Sequence, residues 1–99
     1  MTYLKLYISD EASKWFIEEM EPEEGDMIRF YARYGGSSPL HEGFSLGVTI
    51  DQPMEPSVML EENGLTFFVE EKDVWYFSGH DLYVDVDPKR NELSYRYEN

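Results

Sequence analysis

A chain of 99 residues with no cysteine is long enough for one modest core. Its own residues can form neither a disulfide nor a thiolate-held zinc or iron-sulfur site. Its 21 acidic against 8 basic residues, a net charge of -13, repel phosphate backbones and anionic membranes, so neither nucleic acid nor membrane is an expected partner.

Met1-Thr2-Tyr3-Leu4-Lys5-Leu6-Tyr7 has no apolar h-region, and no apolar run approaches a membrane span, so a cytoplasmic location is expected. Tyr3 to Ile8 reads as a strand with Leu4, Leu6 and Ile8 on one face, and Ser9-Asp10 as a helix cap. From Asp10 to Met20 the residues Ala12, Trp15, Phe16, Glu19 and Met20 recur at helical spacing, an apolar stripe broken only by Glu19. Glu21-Pro22 stops this helix, because the residue before a proline is pushed out of the α region. Met27 to Tyr34 alternates Ile28, Phe30, Ala32 and Tyr34 with Met27, Arg29, Tyr31 and Arg33, a strand with one basic face.

Arg33-Tyr34-Gly35-Gly36-Ser37-Ser38-Pro39 interrupts that pattern. Its glycines supply positive φ angles for a tight exit from the strand. Phe44, Leu46, Val48 and Ile50 then mark a strand paired back antiparallel to the first, and Pro53 and Pro56 an irregular crossing. Asn63-Gly64, between Val58 to Glu61 and Leu65 to Val69, predicts a type I′ hairpin. Lys72 to Phe77 predicts a short helical turn with Val74, Trp75 and Phe77 on the core, ended by Ser78-Gly79. Leu82 to Val86 and Leu93 to Tyr97 are two last strands, joined around Asp87-Pro88-Lys89-Arg90-Asn91. The whole reads as β, α, then mostly antiparallel β: one β-rich α+β domain over residues 1–99, its main helix covering a curved sheet or open barrel.

Several constellations could carry chemistry. Gly43-Phe44-Ser45-Leu46-Gly47 matches G-x-S-x-G, with Asp73 and His80 following in α/β-hydrolase order. That mechanism needs the serine at a strand-to-helix elbow, whereas Ser45 lies within a strand, so no enzyme is expected. His41, His80 and Asp81 could meet as nitrogen and oxygen metal ligands, although no H-x-x-x-H or H-E-x-x-H spacing supports them. Asp85-Val86-Asp87 begins like a calcium loop, but Lys89 and Asn91 break the pattern. Gly35-Gly36 lacks the Lys-Ser/Thr pair of a phosphate loop.

Taken together, the residues resemble the HesB-like family, the A-type iron-sulfur carriers of cluster biogenesis. The resemblance covers Tyr3 to Asn99 and rests on five segments. They are Ser9-Asp10-Glu11-Ala12 at the first helix, the loop Arg33 to Ser38, the strand Gly43 to Val48, the hairpin Asn63 to Val69, and the stretch Trp75 to Asp85. It implies a small antiparallel sandwich or open barrel with helices packed on it. It also implies dimers or tetramers holding iron or a cluster through three cysteines, one in the glycine loop and two in a Cys-Gly-Cys. Here Ser37 stands at the loop cysteine's place, and the sequence reaches Asn99 about where the Cys-Gly-Cys segment would begin. A neutral hydroxyl is a poor substitute for a thiolate, so no iron-sulfur cluster is expected. The expected role is accessory and non-catalytic, through a protein partner such as one of the cluster-assembly system, with exposed sheet edges allowing a homodimer. The alternative is a metal or small-ligand module using oxygen and nitrogen donors around Ser37, His41 and His80.

Overall fold

The computed structural model describes residues 4–99; Tyr3, at the start of the first expected strand, lies outside the described residues. Leu6–Ile8 forms β1, Asp10–Met20 α1, Met27–Ser37 β2, Glu42–Ile50 β3, Pro56–Glu62 β4 and Leu65–Glu70 β5. A 3-10 helix over Glu71–Phe77 leads to β6, Asp81–Asp87, and β7, Glu92–Glu98.

Local chemistry sets the boundaries of α1. The Ser9 hydroxyl accepts the Ala12 N–H at 3.0 Å and donates to Asp85 at 2.9 Å, so one side chain both caps the helix and fastens it to β6. Ala12 and Phe16 are fully buried, Trp15 and Met20 partly so, and Glu19 is exposed. Ser13, outside the apolar stripe, is buried as well. Its hydroxyl is satisfied, donating to the Asp10 carbonyl at 2.8 Å and accepting from the Asn63 amide at 2.5 Å. The helix stops at Glu21 as expected, but by a different route: Glu21 is left-handed, φ 45° and ψ 55°, not in the extended region that a following proline favours.

Two sheets result, ordered β1-β6-β7 and β3-β2-β5-β4. The pairs β2/β3, β4/β5 and β6/β7 are antiparallel, whereas β1 runs parallel to β6 and β2 parallel to β5. Both sheets are thus mixed, and they do not close into a barrel. Asn63 and Gly64 both have positive φ, 53° and 79°, as a type I′ turn between β4 and β5 requires.

The core lies between the sheets. Leu6, Ile8, Leu82 and Val84 face Ile28, Phe30, Phe67 and Val69, with Ala12 and Phe16 of α1 and with Tyr76 and Phe77 filling the space between. Phe16 meets Phe30 and Phe67 edge-on at 5.9 and 5.2 Å, and burying each such ring stabilises the fold by about 1.5–3 kcal/mol. The 3-10 helix corrects one expectation. Its three-residue turn places Asp73 and Tyr76 together on the buried side, so Tyr76 and Phe77 are buried and Val74 partly so, while Trp75 stays 50% exposed.

Candidate functional site

The β2–β3 hairpin outruns the core it helps to build. Along the inner face of β2, Phe30 is fully buried, Ala32 partly buried, and Tyr34 87% exposed. Register partners share a face, so Val48, Leu46 and Phe44 of β3, each partly buried, lie opposite those three residues. At the far end Gly35 and Gly36, φ 112° and 68°, form a bulge that takes β2 on to Ser37 before the chain turns at Ser38-Pro39. The glycine segment is therefore a kinked continuation of the strand rather than its exit. A positive φ costs an L-residue about 1–2 kcal/mol, which accounts for both glycines.

Trp75 meets this overhang from the 3-10 helix. Its ring lies 5.1 Å from Phe44 at 85° and 5.3 Å from His41, and Tyr34 stands edge-on to Phe44 at 5.6 Å. His41 is fixed because its Nε2–H donates to the Tyr76 carbonyl at 2.9 Å, with the Ser78 hydroxyl 3.3 Å away. Ser38 closes the turn, its hydroxyl accepting the N–H groups of Leu40 and His41 at 3.3 and 3.2 Å. Beside Trp75 a cavity of about 180 Å³ is lined by Leu4, Val74, Phe77 and His80, among others. The result is a contiguous aromatic surface with one adjoining, mainly apolar pocket.

Residues expected to carry chemistry are distributed around this surface. Ser37 is exposed at the end of β2, opposite Glu42. The ring of His80 donates from Nδ1 to the Phe77 carbonyl at 3.0 Å, and Asp81 accepts the Lys5 N–H at 3.1 Å. Among the described residues no three His, Cys, Asp or Glu side chains gather as metal ligands. Ser45 lies in mid-strand and donates to the Gly35 carbonyl at 3.1 Å. Asp73 is turned to Arg29 at 2.7 Å and to the Ala32 N–H at 3.3 Å. The G-x-S-x-G serine thus has no histidine or aspartate beside it. Its second glycine has another purpose: Gly47 lies opposite Tyr31, and a Cβ there would collide with the Tyr31 ring.

The basic face of β2 resolves into an ion-pair network that the sequence does not reveal. Arg29 bridges Asp73 at 2.7 Å and Asp51 at 3.1 Å. Burial alone would lower the Arg29 pKa, but the hydrogen bonds to Asp73 and Asp51 outweigh it and raise the value above its usual position. A cavity of about 310 Å³ opens beside it, lined by Lys72 and by Asp51, Glu55, Glu70 and Glu71. Its acidic excess does not favour an anion. Glu70 is occupied by the Met54 and Glu55 N–H groups, both at 2.7 Å, and its carboxyl lies below its ordinary range, chiefly through the Met54 hydrogen bond.

Mixed sheets with one covering helix and a glycine-bulged hairpin define a HesB-like fold. The solved structure of Escherichia coli SufA, involved in biosynthesis of iron-sulfur clusters, matches with a TM-score of 0.64 over 98% of this chain and 89% of SufA. At 13% identity that likeness concerns the fold alone. No family model matches the sequence. The chain belongs to the family of the Bacillus subtilis protein named pyruvate dehydrogenase inhibitor, to which it is 44% identical over 95 residues, 96% of this chain and 100% of that protein. An uncharacterized protein of Staphylococcus saprophyticus is 38% identical over 95 residues, 93% of this chain and 97% of the relative.

The chain has no cysteine, and Ser37 offers only an exposed neutral hydroxyl with no ligand cluster around it among the described residues.

Proposed function

We propose that this chain is a non-catalytic HesB-fold protein that acts by contact with another protein, and that this partner is pyruvate dehydrogenase. The observation that carries the reading is the 44% identity, along the full length, to the Bacillus subtilis protein named pyruvate dehydrogenase inhibitor. Identity of that extent includes more positions than the buried core contains, so it reaches the surface through which a binding protein works. The cysteine-free sequence and the dispersed Ser45, Asp73 and His80 support action by contact rather than by cluster transfer or hydrolysis. In this reading pyruvate dehydrogenase takes the place of a partner from the cluster-assembly system.

Purified chain added to the Bacillus subtilis pyruvate dehydrogenase complex should lower pyruvate-dependent NAD+ reduction in a saturable manner. An unchanged rate at large molar excess would overturn the reading. Under anaerobic incubation with ferrous iron and sulfide, the same preparation should gain no cluster absorbance. A stoichiometric chromophore would instead restore a carrier role.

A further inference from the structure

We infer that the aromatic surface of Tyr34, Phe44, His41 and Trp75 is where this protein docks, and that it takes a positively charged protein surface bearing a protruding apolar side chain. The inference rests on the proposed function and assigns that function a surface. Tyr34 at 87% and Trp75 at 50% exposure are among the most solvent-accessible large apolar residues described, and they lie on one patch. Solvent exposure of two aromatic residues is unfavourable in a free chain. The hairpin nevertheless extends past the core, and Gly35 and Gly36 take up positive φ to continue it.

Part of the patch is held by packing, with Trp75 between Phe44 and His41, and His41 tied to the Tyr76 carbonyl. At Trp75 and His41 less side-chain freedom remains to be lost on binding. Tyrosine and tryptophan are the residue types in which binding energy concentrates. The pocket beside Trp75, lined by Leu4, Val74, Phe77 and His80, is of a size for one apolar side chain. Charge selects among occupants. At a net charge of -13 a second copy is repelled, whereas a lysine- or arginine-rich surface is attracted and steered.

The test compares wild type with Tyr34→Ser, Trp75→Ser and a control, Tyr7→Ser, on the opposite sheet, for binding to and inhibition of the Bacillus subtilis pyruvate dehydrogenase complex. Tyr34→Ser removes a side chain that is almost wholly exposed, so it remains informative if Trp75→Ser loosens the fold. Each patch variant should weaken binding by about 30-fold or more, the effect of a hot-spot residue, while Tyr7→Ser leaves it unchanged. Wild-type binding should also weaken as NaCl rises from about 50 to about 500 mM, where screening becomes short-ranged. If wild type inhibits and Tyr34→Ser inhibits equally well, the surface is wrong and the proposed function stands. If wild type neither binds nor inhibits, the proposed function falls and the surface with it. A wild-type dimer in sedimentation that Tyr34→Ser dissociates would give the patch to a second copy and overturn the charged partner.

Discussion

At the scale of single residues, burial governs the tyrosines of β7. Tyr95 is pushed up to about 12, first by burial and then by the nearby Tyr76. Tyr97 is raised further, by burial and by its hydrogen bond to the Tyr76 hydroxyl at 3.2 Å. Tyr83 shifts in the same direction, through burial and its stacked neighbour Tyr7. A folded-state pKa above the unfolded value contributes stability that is complete below the unfolded pKa, about 10, and is lost as pH rises through the folded one. Phenolate absorbance followed against pH tests this. Tyr95 and Tyr97 should ionise only above the ordinary phenol range, together with loss of the folded state. A single transition near pH 10 in a protein that stays folded would contradict the burial of β7. Alternation alone does not distinguish Tyr34 from Tyr95; the position of the core's edge separates the partly buried ring from the exposed one.

At the scale of elements, sequence patterns gave strand faces more readily than strand partners. Ile28 and Phe30 were legible as core residues because alternation of period two is a local property. The parallel pairing of β1 with β6 and of β2 with β5 was not, because it joins segments with no turn between them. The Arg29–Asp73 pair spans 44 residues and left only the hint of a basic strand face. The site was legible in part: the segment Arg33 to Pro39 was singled out, but as a ligand loop, whereas its surroundings are aromatic. Trp75 was expected in the core because helical spacing was read into a 3-10 turn. The G-x-S-x-G match has a steric explanation in Gly47, over which the Tyr31 ring lies. Gly47→Ala should therefore destabilise the protein by about 1–3 kcal/mol, the usual cost of overpacking, as measured by urea unfolding. In a Tyr31→Ser background the same change should cost much less. Equal costs in both backgrounds would separate the glycine from the ring and leave its place in β3 without that reason.

At the scale of the whole molecule, the charge of -13 is poorly compensated. Of the four ion pairs among the described residues, Lys14–Asp10 and Arg96–Glu98 join largely exposed side chains, and only Arg29–Asp73 is well buried; exposed pairs contribute about 0–1 kcal/mol each. Self-repulsion should dominate at low ionic strength, so added salt should raise the melting temperature in calorimetry. A melting temperature independent of salt would mean that the carboxylates are balanced within the fold. The pairing of β1 has a further consequence, for the order of folding. Leu6, Tyr7 and Ile8 find their sheet partners in Leu82, Tyr83 and Val84, and the Ser9 hydroxyl that caps α1 finds Asp85, 76 residues on. On the ribosome β1 therefore has no strand to join until β6 has emerged, while β2 to β5 can already assemble. Closing so long a loop delays the contacts that reward it, so the β1-β6-β7 sheet is expected to be completed after the β3-β2-β5-β4 sheet.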